Sequence, residues 1–383
     1  MSSLQRSAMS ARIAKLPQLP PDIERTIAPT VAPFAQDDDD ENETDDLGDL
    51  PRSMGPPTKI KGREQHKDGQ YSPLSAAGYF EQAVEVEVAS TGLATRVYYT
   101  PSTLSGSNGT VMICHHGAGF SGLSFACFAK EVRTLSNGEC GVLALDAREH
   151  GKTANLKPSS DFNLSIETLS DDLVELIKVI FPLPSEAPGL LLVGHSMGGS
   201  VIVRASTPLL SAKYKMVGVA VLDVVEGFTL EALPHMHNLL DSRPEGFDSP
   251  EDAIQWHVTT NTIRNLESAR ISVPPIISPS MTKGWKWRTP LRLTAPYWTN
   301  WFTGLSSAFL ASRTARLLVL AGTDRLDKEL MIGQMQGKFQ MVVVPHVGHI
   351  VHEDDPVRLA EILIEFWKRN DRVLKGIKKV GEL

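Results

Sequence analysis

Residues 190–203 read LLLVGHSMGGSVIV. An aliphatic run, Leu190 to Val193, ends in Gly194-His195-Ser196-Met197-Gly198-Gly199, after which apolar residues resume at Val201, Ile202, Ala205 and Leu209. The first part follows Pro188-Gly189 and has the unbroken hydrophobicity of a strand buried on both faces. The second has helical spacing. A G-x-S-x-G match arises by chance in roughly one chain in ten of this length, so the pattern alone carries little. Its context carries more, because a sharp turn from a buried strand into a helix lifts the serine oxygen clear of the sheet. Ser196 is therefore the candidate nucleophile, and Gly198 and Gly199 open a helix that must pass close to neighbouring strands.

The rest of the chain supplies a matching sheet. Val84 to Val88 and Leu93 to Thr100 read as an opening antiparallel pair. Val111 to His115, Val142 to Asp146, Leu190 to Val193, Met216 to Asp223, Leu317 to Ala321 and Met341 to Pro345 read as further apolar strands. Helical patterns such as Leu169, Leu173, Leu176, Ile177 and Ile180 lie between most of them. That alternation predicts an α/β fold, a doubly wound and mostly parallel sheet. The long interval between Asp223 and Leu317 predicts a helical cap insertion over 228–312, between the sixth and seventh strands, with Ser249 as N-cap and Pro250 at the first position of one helix. Insertions so placed usually decide what enters a site.

Composition bounds the remainder. At 383 residues, 42% hydrophobic and 22% charged, the chain can bury one large core. The net charge of −7 is dominated by Asp37 to Asp49, which holds nine acidic residues and no basic one, leaving −7 + 9 = +2 elsewhere. Residues 1–70, acidic and Pro-rich without apolar periodicity, are expected to be a disordered tail, and 71–383 one domain ending in a short polar tail from about 371. A nearly neutral folded part gives no reason to expect nucleic acid. Cys114, Cys127 and Cys140 are odd in number and lack metal-type spacing, so they read as reduced thiols of a cytoplasmic or nuclear protein. No apolar run reaches the length of a membrane span and the N-terminus lacks a signal-peptide core, so no membrane association is expected.

A serine hydroxyl needs a base, and the base a group that orients it. In sheets of this kind the expected chain order is Ser, acid, His. VVVPHVGHIVHEDDP, residues 342–356, supplies His349 directly after Gly348 at the end of the last strand. His346 and His352 read as solvated loop residues. Two acids compete: Asp223 ends the sixth strand, and Asp324 follows the seventh, flanked by Arg325 and Lys328. The residues alone leave both open. The oxyanion of acyl transfer needs preformed amide donors. ICHHGAGFSG, residues 113–122, offers the Ala118 N–H, and Met197 offers the other. His115 and His116 read as holding that loop by hydrogen bonds rather than binding metal, and Arg148 and His150 as bracing the same edge. No cofactor and no metal are expected.

At this point the chain resembles a family, the protein phosphatase methylesterases, which are α/β-hydrolases specialised for the C-terminal methyl ester of the protein phosphatase 2A catalytic subunit. The stretches that carry the resemblance are GHSMGG, LDVVEG, IRNLESAR, YWTNWFTGLS, LAGTDRLDKELMIGQMQGKFQM and GHIVHED, which run from Gly194 to Asp354 within a resemblance that covers about Tyr79 to Pro356. The resemblance implies Ser196 as nucleophile, Asp223 as acid and His349 as base. It makes Asp324 a loop-organising residue with Arg325 and Asp327. It also implies the phosphatase catalytic subunit and its methylated tail as partner, for a chain expected to be monomeric alone. This sequence departs from the family in carrying its acidic run in the N-terminal tail rather than in the insertion. A regulator acting mainly by binding the phosphatase, or a small-molecule serine esterase, are the rival readings. The first has no use for a triad, and the second leaves the longer stretches unexplained.

Overall fold

The computed structural model describes residues 69–158, 162–281, 284–322 and 325–371. The expected acidic tail, most of the polar C-terminal tail and Asp324 lie outside the described residues. In chain order the strands are β1 (Gln82–Val88), β2 (Leu93–Thr100), β3 (Thr110–His115), β4 (Cys140–Leu145), β5 (Ala154–Asn155), β6 (Gly189–His195), β7 (Met216–Leu222), β8 (Gly246–Phe247), β9 (Ile277–Pro279), β10 (Trp285–Trp287), β11 (Ala315–Ala321) and β12 (Gln340–Val344). The main sheet runs β1-β2-β4-β3-β6-β7-β11-β12, with β5 added to β2. β1–β2 and β2–β4 pair antiparallel, and every later pair along this path is parallel.

β6 lies between two parallel neighbours, β3 and β7. Its residues Leu190 to Val193 are wholly buried, which is why they read as one apolar run rather than an alternation. Side chains of a strand point alternately to opposite faces. Val111 and Ile113 of β3, with Leu190 and Leu192 of β6, enter one core; Met112 and Cys114, with Leu191 and Val193, enter another. Helices Ile166–Ile180 and Met197–Ser211 cover the first face, and Ala126–Leu135 and Pro356–Asn370 the second. The helix at 166–180 starts where the Ser165 hydroxyl accepts from the Thr168 amide, and it buries Leu169, Leu173, Leu176 and Ile177 on one stripe. Each such side chain contributes about 1.5–3 kcal/mol when fully withdrawn from water.

Between β7 and β11 the chain leaves the sheet. Ser249 caps the helix Pro250–Thr259 through a bond from the Asp252 amide, with Pro250 at its start. The excursion is mostly helical but also holds a three-stranded sheet, β8-β10-β9. There Trp285 and Trp287 are half-buried on either side of exposed Lys286, a period of two that helical reasoning does not anticipate. Ala253, Ile254, Ile263, Ala269, Val273, Ile276 and Ile277 form a small core of their own. Three outside residues join it: Ile350, next to His349, Phe120, from the loop after β3, and Tyr71, ahead of β1. The excursion is thereby packed onto both loops of the site.

Candidate active site

The turn after β6 is over-determined. Ser196 has φ 51° and ψ −118°, a conformation L-residues rarely adopt, and its N–H donates to the Leu222 carbonyl at 3.1 Å. The crossing of strand, turn and helix leaves no space for side chains. A Cβ on Gly194 would lie 2.2 Å from the Gly198 carbonyl oxygen, and one on Gly198 would lie 2.3 Å from that of His115. Ser196 therefore stands at the C-terminal edge of the sheet, with Met197 wholly buried at the first position of the following helix. The first amides of a helix have no intrahelical acceptor, and the positive end of the helix dipole lies there.

The second expected donor lies on the loop after β3. A Cβ on Gly117 would meet His195 Nδ1 at 2.7 Å and Ser196 Cβ at 3.3 Å, so the start of this loop runs against Ser196. Leu291 of the cap lies over this loop, within 2.8 Å of where a Cβ on Gly119 would sit. His115 Nδ1 faces the His116 carbonyl at 3.0 Å and His116 Nδ1 faces that of Gly117 at 2.7 Å, so both rings act within the loop. Among the described residues no group of three or more His, Cys, Asp or Glu is arranged to hold a metal ion. The loop after β4 braces the same edge. Arg148 forms a two-pronged ion pair with Asp172, at 2.7 and 2.8 Å, and His150 Nδ1 faces the Arg148 carbonyl.

The candidate base and one of the two candidate acids meet across 126 residues of chain. His349 Nδ1 lies 2.7 Å from Asp223 Oδ2. The other carboxylate oxygen, Oδ1, accepts the Ala321 N–H at 2.8 Å, while the Asp223 N–H donates to the Val319 carbonyl at 2.8 Å. The end of β11 thus contributes backbone groups that orient Asp223 of its neighbour β7, whereas Asp324 beyond it lies outside the described residues. The His349 ring is about half exposed, at 55%, against 18% for the Asp223 side chain. Among the described residues no hydrogen bond joins Ser196 Oγ to His349.

His195 ties the two halves together. It is buried and faces the His349 carbonyl through Nε2 at 2.9 Å, so Nε2 carries the proton and donates. Burial, with the His349 and His352 rings close by, holds its pKa well below the ordinary value. His346 is exposed as expected. His352 is not: it is wholly buried, stacked on Phe125 at 4.2 Å with Nε2 at 3.1 Å from the Ser124 hydroxyl, and burial pushes its pKa down to about 3. Its position on the inward side of the short helix Val351–Asp354 corrects the reading of it as a solvated loop residue.

Other partners explain stretches that had no role in the residue-by-residue reading. Asp354 accepts the Gly348 amide at 2.7 Å and the Arg264 amide at 2.8 Å, and Arg264 Nη1 donates to the His346 carbonyl. Ser272 Oγ donates to buried Glu353 at 2.6 Å, and Ser268 Oγ to the Glu353 carbonyl. IRNLESAR and GHIVHED are therefore two sides of one contact between cap and base loop. Likewise Glu226 of LDVVEG accepts the Gly304 and Ser306 amides, and Ser306 Oγ donates to Asp327, which caps the helix Lys328–Met335. No single stretch contains both partners, so local pattern could not find these pairs.

The family description "Alpha/beta hydrolase family" matches residues 112–362. A protein named "Protein phosphatase methylesterase 1" from Cryptococcus neoformans var. neoformans is 46% identical over 100% of this chain and 96% of its own length. One of the same name from Aspergillus fumigatus is 40% identical over 97% of this chain and 90% of its own. Among solved structures, E-2-(acetamidomethylene)succinate hydrolase superposes with a TM-score of 0.60 at 18% identity, covering 75% of this chain and 98% of that one, a likeness of fold. Sheet order, elbow and these relatives agree: the chain belongs to the alpha/beta hydrolase family and, within it, to the protein phosphatase methylesterases.

Proposed function

We propose that this chain is a serine carboxylesterase that removes the methyl ester from the C-terminal carboxylate of the protein phosphatase 2A catalytic subunit. The observation that carries the chemistry is the Asp223–His349 bond at 2.7 Å beside a serine held in an elbow at φ 51°. With Nδ1 donating to the carboxylate, His349 presents the lone pair of Nε2, the atom a general base needs. For the reaction Nε2 and Ser196 Oγ come within hydrogen-bond reach. Ser196 Oγ then attacks the ester carbonyl while His349 takes its proton. The oxyanion is held between the Ala118 and Met197 amides. Collapse breaks the bond to the methoxy group, which leaves as methanol with the proton from His349, and the acyl group stays on Ser196. Water, deprotonated by His349, attacks the acyl-enzyme and restores Ser196 with release of the free carboxylate. Asp223, bonded to Nδ1, stabilises the imidazolium of each half-reaction.

The phosphatase as substrate rests on the relatives' name and on the extended stretches outside the triad. The contacts joining cap to both site loops support a cap that helps select the substrate tail. Three buried thiols, Cys114, Cys127 and Cys140, accord with a reducing compartment, cytoplasm or nucleus. Among the described residues no helix is long and apolar enough to cross a membrane. The test is methanol release from C-terminally methylated phosphatase and from a short methylated peptide of the same terminal sequence. Release from both, faster from the phosphatase and absent with Ser196→Ala, is expected. No methanol from either substrate would exclude the esterase reading.

A further inference from the structure

We infer that His116 is a positioning residue for the oxyanion hole: its imidazole sets the direction in which the Ala118 N–H points. The inference rests on Ser196 as nucleophile and on the Ala118 amide as an oxyanion donor. His116 is the first residue after β3 and is wholly buried. Its Nε2 lies 2.9 Å from the Ala147 backbone nitrogen. An amide N–H can only donate, so Nε2 must be the bare nitrogen and Nδ1 must carry the proton. That proton is directed at the Gly117 carbonyl oxygen, 2.7 Å away. Burial, together with the neighbouring His150 and His115 rings, holds the His116 pKa well below the ordinary value and keeps this neutral tautomer in place.

The Gly117 carbonyl and the Ala118 N–H belong to one peptide unit. Peptide units are planar, and the described chain has no cis peptide bond. In a trans unit the C=O and N–H vectors are opposed, so a grip on the oxygen aims the hydrogen the other way. His116 supplies that grip at 2.7 Å, and the Phe120 N–H adds a longer one at 3.2 Å to the same oxygen. Ser196 borders this peptide, its Cβ 3.3 Å from where a Cβ on Gly117 would stand. The far end of the loop is fixed too, since the Gly122 N–H donates to Asp146 Oδ1 at 2.7 Å. Consecutive residues Asp146 and Ala147 thereby hold the two ends of the loop, one through a carboxylate and one through the His116 ring. A protonated His116 would turn Nε2 into a donor facing the Ala147 donor and break the first of these ties.

The test has two parts. In the wild-type protein, 15N NMR of the His116 ring reads the tautomer directly. Nδ1–H is expected at neutral pH, and an Nε2–H ring overturns the inference whatever the variants do. Kinetics on a small activated ester then separate the two bonds of the ring. His116→Gln can place an acceptor near the Nε2 position but no donor at Nδ1, whereas His116→Asn can keep a donor toward the Gly117 carbonyl. His116→Gln should lose about 10²-fold in kcat with KM within about threefold, and weaken by a similar factor in its affinity for a trifluoromethyl ketone, which forms a tetrahedral adduct. His116→Asn should recover about tenfold of that loss. A folded His116→Gln with wild-type kcat, or equal losses in both variants that follow their melting temperatures, would reduce His116 to packing. Ser196→Ala run alongside keeps the readings apart: if it still hydrolyses the ester, the site assignment fails; if it is inactive while His116→Gln is intact, only the present inference falls.

Discussion

Ser196 and His349 belong to one site but are held in opposite ways. The candidate nucleophile sits on a turn with no free volume, where Gly194 and Gly198 are within clashing distance of backbone if given a Cβ, and the adjoining helix start is buried. The proposed base, His349, sits on a loop with its ring about half in solvent, bonded to Asp223 and not to the serine. Its main chain is nonetheless anchored three times: the His349 carbonyl by His195, the Gly348 amide by Asp354, and Ile350 by the cap core. Backbone order is common to both sides, and the difference lies in exposure: Ser196 stands on a closed turn while the His349 ring keeps about half its surface in solvent. The glycine-lined turn places Ser196, whereas His349 is placed by residues far along the chain, Asp223 and His195.

Experiments can break or sharpen that contrast. The largest effect expected is from Ser196→Ala, about a million-fold in turnover, by analogy with other triad serine hydrolases. Because the change removes one hydroxyl from a fixed turn, phosphatase binding in a pulldown should stay within a few fold; lost binding would mean the elbow also builds the interface. Next comes Asp223→Asn, which should lower turnover by about four orders of magnitude, as in serine proteases, by disfavouring the needed tautomer and the imidazolium. Asp324→Asn should lose far less on the same small ester. A folded but inactive Asp324→Asn beside an active Asp223→Asn would move the acid to the other strand.

Smaller effects test the rigidity itself. Gly198→Ala drives a methyl to 2.3 Å from the His115 carbonyl oxygen. It should cost about 1–3 kcal/mol of stability, seen as a lower melting temperature, and reduce turnover through displacement of the elbow. An unchanged melting curve would show that the turn has slack. On the base side, burial raises the Glu353 carboxyl from an ordinary value near 4.5 to about 8. Below the unfolded value both states hold the proton and its burial carries no ionisation penalty. As pH rises toward 8 the unfolded chain releases the proton while the folded chain keeps it, so stability falls across that window. Glu353→Gln cannot ionise; it should melt close to wild type near about pH 5 and above it near about pH 8. A pH-independent difference would remove Glu353 as the cause.

Much of the fold was legible because its signals are local. A strand buried on both faces must be apolar throughout, a helix on a sheet must show a stripe, and the ends of the eight strands along the main path were readable to within a residue or two, whereas the two-residue β5 was not read. The insertion was legible as an interval but not as a helix-and-sheet unit, since three strands of two or three residues are too short to leave a period. The base loop was legible in Gly348-His349, yet His352, three residues on, was misread. Exposure there depends on whether Phe125 and Ser124, more than two hundred residues earlier, lie behind it.

By itself the sequence determined the alternation of strands and helices, the elbow at Ser196 and the position of His349 after the last strand, because period and turn chemistry act between near neighbours. Only the tertiary structure decided that an amide of β11 fixes Asp223, that Arg264 and Asp354 organise the base loop, and that His195 and His116 each bind a carbonyl of the site. Those contacts depend on strand order and on a cap folding back over the sheet edge. A hydrogen bond between residues a hundred positions apart exists only once the elements carrying them have been packed side by side.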